Sequence, residues 1–254
     1  MAQFAFGAGT LWGIPTADYS GAAITTPTPV QFGTLQGGSI DISFDTKELY
    51  GNKQFPVAVG RGKGKITGKA TFAQLNGSLI NSLFFGQSLS AGIVADYSDV
   101  TGSAIPATPF SITPTVPNSG TWSVDLGVLS SLGLPMTRVA SAPATGQYSV
   151  SAGVYTFAAA DTGQTVFISY QYAATSTTAQ KSTVLNVPMG YAPTFRAELS
   201  VPFNGKSLVF SLPNCVSTKL SMATKLDDFM VPEFDFSAFA DASGNVLTYA
   251  ISDK

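Results

Sequence analysis

Fifteen prolines are scattered through the 254 residues, and no long helical pattern survives between them. Glycine, serine, threonine and alanine are plentiful throughout, so the chain favours short strands joined by turns. Its length suffices to bury a sizeable core, and we read one elaborated domain over 1–254. With 44% hydrophobic and 11% charged residues and a net charge of −2, the surface is sparsely charged for a monomer, which points to burial by association.

Alternation is strongest in "QFGTLQGGSIDISFD". Ile40, Ile42 and Phe44 fall on one face, and Ser39, Asp41, Ser43 and Asp45 on the other, as in a half-buried strand. It resumes in "VAVGRGKGKITGKATF", where Ile66, Gly68, Ala70 and Phe72 oppose Lys65, Thr67, Lys69 and Thr71. The intervening "TKELYGNKQFP", 46–56, carries Gly51, Asn52 and Pro56, which interrupt a ladder, so a long hairpin with a protruding tip is expected. Leu49, Tyr50, Phe55 and Val57 on that tip require cover, either from a partner or by folding back on their own sheet.

The best helix signal is "FAQLNGSLINSLFFG". Leu75, Leu79 and Leu83 with Ile80 and Phe84 make one apolar face, and Gly86 supplies a stop. From 87 to 145 prolines punctuate short extended pieces such as "FSITPTV" and "TWSVDLGV". A second hairpin is expected in "GQYSVSAGVYTFAAADTGQTVFISYQY", with "ADTGQT" (160–165) as its turn, and 173–183 as a mobile loop. The last third reads as strands around "NGK", then "EFDFSAF" with Phe234 and Phe236 opposing Asp235 and Ser237, then a turn at "ASGN". No repeat of about 20–50 residues is evident.

Chemistry is sparse. The glycines and lysines of 60–69 do not make a phosphate loop, because Gly60 requires glycine at 65, where Lys65 stands; "GKS" at 205–207 likewise lacks glycine at 200. The chain has no histidine, and Cys215 is its one cysteine, so His-based triads and zinc sets are excluded and Cys215 reads as a small buried hydrophobe. The neighbouring acids Asp227–Asp228 and Glu233–Asp235 read as a solvated strand face in preference to an acid/base dyad. No enzyme activity, metal or cofactor is expected. No apolar run approaches the roughly 18 residues of a membrane helix, and neither signal peptide nor membrane anchor is evident.

Charge is unevenly distributed. Lys47, Lys53, Arg61, Lys63, Lys65 and Lys69 face Glu48 alone within 47–69, while seven cations and fourteen acids occupy the rest. Separate positive and negative patches suit head-to-tail self-association, and a protein gripping a polyanion usually lacks such an acidic counterweight. Pairing of Asp41 and Asp45 with Lys65 and Lys69 inside the hairpin accounts for part of the charge.

The stretch "FGTLQGGSIDISFDTKELYGNKQFPVAVGRGKGKITGKATFAQLNGSLINSLFFG", with "GQYSVSAGVYTFAAADTGQTVFISYQY" and "FRAELSVPFNGKSLVFSLPNCVSTKLS", resembles the major tail tube protein of long-tailed, siphovirus-like bacteriophages. The likeness is one of pattern, over about residues 30–252. It implies a mainly β fold: a β-sandwich with one flanking helix, whose inner sheets join into a hexameric β-barrel ring. Rings stack into a tube that conducts double-stranded DNA to the host without specific binding. It implies as partners further copies of the chain and other tail proteins such as the tape measure, tail tip and terminator. It places the protein in the virion tail after synthesis in the host bacterial cytoplasm.

In that family the long loop between the first two major strands reaches the neighbouring ring, and here it maps onto about 46–60. Lys47, Glu48, Leu49, Tyr50, Lys53, Phe55, Pro56, Val57 and Arg61 are the expected contact residues. Asp41, Ser43, Asp45, Lys65, Thr67, Lys69, Arg196 and Glu198 are expected on the lumen wall, and part of 87–160 as an outer-surface elaboration. Two alternatives share the pattern: a carbohydrate-binding or decoration β-sandwich using Tyr148, Tyr155, Tyr170 and Tyr172, and the secreted hexamer tube of contractile injection systems.

Overall fold

The computed structural model describes residues 5–253, and the fold is mainly β with several antiparallel sheets. It comprises two compact units, one of residues 5–88 and 182–253, the other of 89–181.

The first unit opens with β1 (Thr10–Ala17) and the short β2 (Val30–Gln31). β3 (Leu35–Tyr50) and β4 (Pro56–Phe72) then form a long hairpin. Its ladder runs to Tyr50↔Pro56, so the segment expected as a broken loop over 46–60 is mostly paired strand, and only 51–55 connect the two arms. A register shift between Phe44 and Thr46 sets Asp45 opposite Gly62 and Lys63, a bulge that interrupts the expected alternation.

The helix is shorter than its apolar pattern. Asn76 Oδ1 accepts from Ser78 N at 2.9 Å and starts α1 (Gly77–Leu79), which continues as a π-helical stretch, Ile80–Phe85. Gly86 ends it at φ 61°, the left-handed stop that its position implied. Leu79 and Leu83 are buried and Ile80 and Phe84 pack beside them, but Leu75 precedes the helix and is exposed.

The second unit follows. In chain order it contains β5 (Ser90–Ala91), β6 (Ile93–Ser98), β7 (Ser103–Ala104), β8 (Ser111–Ile112), β9 (Thr121–Ser130), β10 (Thr137–Arg138), β11 (Gln147–Ser151), β12 (Val154–Phe157), β13 (Thr165–Ala174) and β14 (Gln180–Lys181). β13 pairs with β6, β7 and β9; β12 joins β8 and β11, and β11 pairs with β10. Side chains from both sheets, among them Tyr148, Tyr155, Ile168 and Tyr170, share one core.

The hairpin expected over 146–172 is corrected here. β11 and β12 are themselves a hairpin, turned by Ala152 and Gly153 at φ 48° and 83°, and "ADTGQT" carries the chain from one sheet to the other. The expected elaboration at 87–160 falls almost wholly in this unit. The unit runs on to Lys181 because β13 and β14 pair back onto β6, β9 and β5; the expected loop at 173–183 thus contains a paired strand.

The chain then returns to the first unit as β15 (Thr194–Phe203), β16 (Lys206–Ser221), β17 (Glu233–Ala238) and β18 (Thr248–Asp253). Asn204 and Gly205, at φ 53° and 72°, make the turn expected at "NGK". Asp241 accepts backbone N–H groups of Ser243 and Asn245 to close the one at "ASGN".

The large sheet has the order β2-β1-β15-β16-β17-β4-β3, with β18 also on β16. It is open, with β2 and β3 at its edges, and no sheet among the described residues closes into a barrel. Phe72, Phe195, Phe234 and Phe236 lie on one face with Leu79 and Leu83 of the helical segment over it. The helix approaches closely because position 13 is glycine, where a Cβ would lie 2.3 Å from Leu83 Cδ1. Asn81 ties this layer together: its amide donates to Gln87 O, and its Oδ1 accepts from Ser182 Oγ at 3.0 Å. β1 had no expected counterpart, since Gly13 and Pro15 obscure its alternation.

Candidate functional site

Two surfaces of the first unit stand out. The first is the hairpin. β17 supports β4 only from Thr71 to Ile66, opposite Glu233 to Ala238. Beyond Ile66 the hairpin is a two-stranded ribbon with no third strand among the described residues. Such a ribbon is marginal in water by itself.

Its side chains confirm the exposure. Ile42 and Phe44, expected on a core face, are 49% and 47% exposed; Ile42 stands opposite Ile66, the last β4 residue that β17 pairs, and Phe44 lies beyond it. The Arg61 guanidinium lies 4.6 Å from the centre of the Phe44 ring, covering part of it with a cation. Leu49, Tyr50, Val57 and Val59 are exposed, as is Phe55 at 80%. Lys47, Glu48, Lys53 and Arg61 are also exposed and Pro56 is half-buried, so the expected contact residues lie together on this ribbon and its connection. The Tyr50 hydroxyl donates to Glu48, and this bond to a carboxylate raises the phenol's pKa. Of the two alternatives for the tip, folding back on the sheet is ruled out: its apolar side chains project.

The second surface is the uncovered face of the large sheet. Residues opposite one another in an antiparallel ladder share a face. The registers Asp41↔Thr67, Thr67↔Ser237, Lys69↔Asp235 and Asp235↔Lys219 therefore align these polar side chains across four strands. A depression of about 360 Å³ lies among Asp41, Lys65, Thr67, Lys69, Thr218 and Asp235. Asp41, Ser43, Asp45, Lys65 and Lys69 are exposed and Thr67 is half-buried; none is enclosed between sheets.

The ion pairing differs from that expected within the hairpin. Lys69 Nζ lies 3.1 Å from Glu233 Oε1, and Lys219 Nζ lies 3.5 Å from Glu233 Oε2. A hydrogen bond from Lys69, together with its charge, holds the Glu233 carboxyl below the ordinary value. Asp41 accepts from Ser39 Oγ at 3.2 Å, and no ion pair among the described residues joins Asp41 or Asp45 to a lysine of the hairpin. Farther along the sheet Arg196 donates to Glu198 and, at 3.0 Å, to Ser211, whose hydroxyl donates to Glu198 at 2.8 Å. Glu233, Asp235, Ser237 and Thr218 complete this face. The alternation of "EFDFSAF" pointed to the solvated strand face, but the β4–β17 pairing that sets Glu233 beside Lys69 is a long-range fact.

Cys215 is buried in the core, and loss of solvent pushes its thiol up to about 12. No helix among the described residues is long and apolar enough to cross a membrane. Neither a protein-family model nor a curated protein matches this chain.

Proposed function

We propose that the chain is a structural subunit that polymerises into a tail tube, as hexameric rings stacked around a bore through which double-stranded DNA passes into the host cell. The single observation that carries this reading is the unsupported ribbon beyond Ile66, whose Phe44, Leu49, Tyr50 and Phe55 are left uncovered by the described residues of the chain itself. A hairpin extended this far gains its stability from another molecule.

The open sheet supports the same reading. β3 presents an unpaired edge along its length, and joining such edges between copies would extend the sheet and satisfy its backbone groups. The polar face, where Lys65 and Lys69 alternate with Asp41, Glu233 and Asp235, suits a lumen wall: mixed charge does not hold phosphates as a basic wall would. In this reading the sheets close into a barrel in the ring, the β-sandwich arrangement is completed by the assembly, and the subunit performs no catalysis. Tape measure, tail tip and terminator proteins would be its other partners in the virion tail.

The carbohydrate-binding alternative has less support. Its aromatic platform required Tyr148, Tyr155, Tyr170 and Tyr172, and all four are buried in the second unit's core. The tube of a contractile injection system uses the same surfaces and differs in its gene neighbourhood. Negative-stain electron microscopy of the purified protein tests the proposal. Rings or hollow filaments on the order of a hundred ångströms wide are expected from closed, stacked sheets. Discrete particles at every concentration and ionic strength would end it.

A further inference from the structure

The large sheet leaves different groups uncovered at its two ends. At one end stands the hairpin tip, with Leu49, Tyr50 and Phe55 among Lys47 and Lys53. At the other lies the connection from β16 to β17, residues 222–232. Phe72, the last residue of β4, donates its N–H to Pro232 O at 3.2 Å, and Thr71 pairs with Glu233. The connection is thus separated from the tip by the length of β4, roughly 55 Å at about 3.3 Å per residue.

This connection is itself uncovered. Leu226 is 98% exposed and Phe229 87%, and between them stand Asp227 and Asp228. Asp228 is 3.3 Å from Lys225, while no ion pair among the described residues engages Asp227. Large apolar side chains this bare on a loop mark a contact surface.

We propose that the 222–232 connection is the surface that receives the hairpin tip of the next copy of the chain. The inference rests on the tube reading and adds its receiving partner. Two unlike surfaces at opposite ends of one sheet make a heterologous contact, which propagates into an open polymer and does not stop at a dimer. Charge favours the pairing: the tip, with Lys47 and Lys53 against Glu48, is net positive, and the connection, with Asp227 and Asp228 against Lys225, is net negative, so unlike ends attract while tip against tip or connection against connection sets like net charges together. Apolar contact between Phe55 or Tyr50 and Leu226 or Phe229 supplies the remainder.

Inter-copy disulfides test this. Two double variants, Phe55→Cys with Leu226→Cys and Tyr50→Cys with Phe229→Cys, are assembled, mildly oxidised and run on non-reducing gels; the buried Cys215 is shielded from exchange. At least one pair is expected to give a ladder extending past the dimer that reductant collapses, while each single-cysteine variant gives none. Filaments by microscopy without a ladder from either pair would overturn the receiving surface and leave the tube reading standing. Bands that stop at the dimer would also overturn it, since they report a reciprocal contact. Absence of both filaments and ladder would remove the tube reading and this inference with it.

Discussion

Gly68 and Phe236 face each other across the β4–β17 ladder, and a Cβ at position 68 would lie 2.1 Å from the Phe236 ring carbon Cζ. The ring lies over the glycine, shielding the ladder and filling the space a side chain would take. Gly68→Val forces the ring out of the cluster it forms with Phe195 and Phe234. A loss of about 1–3 kcal/mol is expected from such overpacking, read as a lower denaturant midpoint. An unchanged midpoint would show that Phe236 has room to move.

The hairpin separates folding from assembly. Ile66 is the last β4 residue that β17 pairs, so Tyr50 and Phe55 contribute nothing to the core. Tyr50→Ser with Phe55→Ser is expected to keep the wild-type circular dichroism spectrum and thermal midpoint while abolishing filaments by electron microscopy. Normal filaments from this variant would remove the tip from the interface.

In the second unit the Asp125 carboxylate, 3% exposed, accepts from the Tyr148 hydroxyl at 2.9 Å and the Tyr155 hydroxyl at 3.1 Å. Arg138 stands 3.5 Å away, and Trp122 Nε1 donates to the Tyr155 oxygen at 3.2 Å. Burial and the neighbouring carboxylate keep both phenols protonated far above neutral pH. Asp125→Ala leaves two buried hydroxyls without their acceptor, a cost of about 3 kcal/mol, whereas Asn retains one acceptor and costs less. Hydrogen exchange within 89–181 should report that ranking, and equal protection in the two variants would contradict it.

Glu233 ties β17 to β4 through Lys69, and its carboxyl is held below the ordinary 4.5. A group whose folded value is depressed contributes in full above its unfolded value and loses that contribution as pH falls through the folded one. Carbon-detected NMR should therefore find Glu233 titrating below 4.5, and Lys69→Ala should move it upward. A wild-type titration at or above 4.5 would place the pair apart in solution.

Local pattern was enough to identify some elements. The alternation around Phe234 and Phe236 named a strand and its buried face, "NGK" named a turn, and Gly86 named a helix stop. Each is set within a few residues by pleat geometry or by a φ that glycine tolerates. Even the hairpin was visible, because two alternating runs flank a connection in which Gly51, Asn52 and Pro56 interrupt the ladder.

Other features needed the folded chain. Ile40, Ile42 and Phe44 alternate identically, yet only Ile40 packs on the core: Ile42 stands opposite Ile66, in the last row that β17 reaches, and Phe44 lies beyond it. "ADTGQT" reads as a hairpin turn but crosses between sheets, since β13 finds its partners in β6 and β9, far away in sequence. Asp125 gave no signal at all until Tyr148 and Tyr155 converged on it. Alternation states which residues share a face. What covers that face depends on strands distant in the chain, and only tertiary packing brings them there.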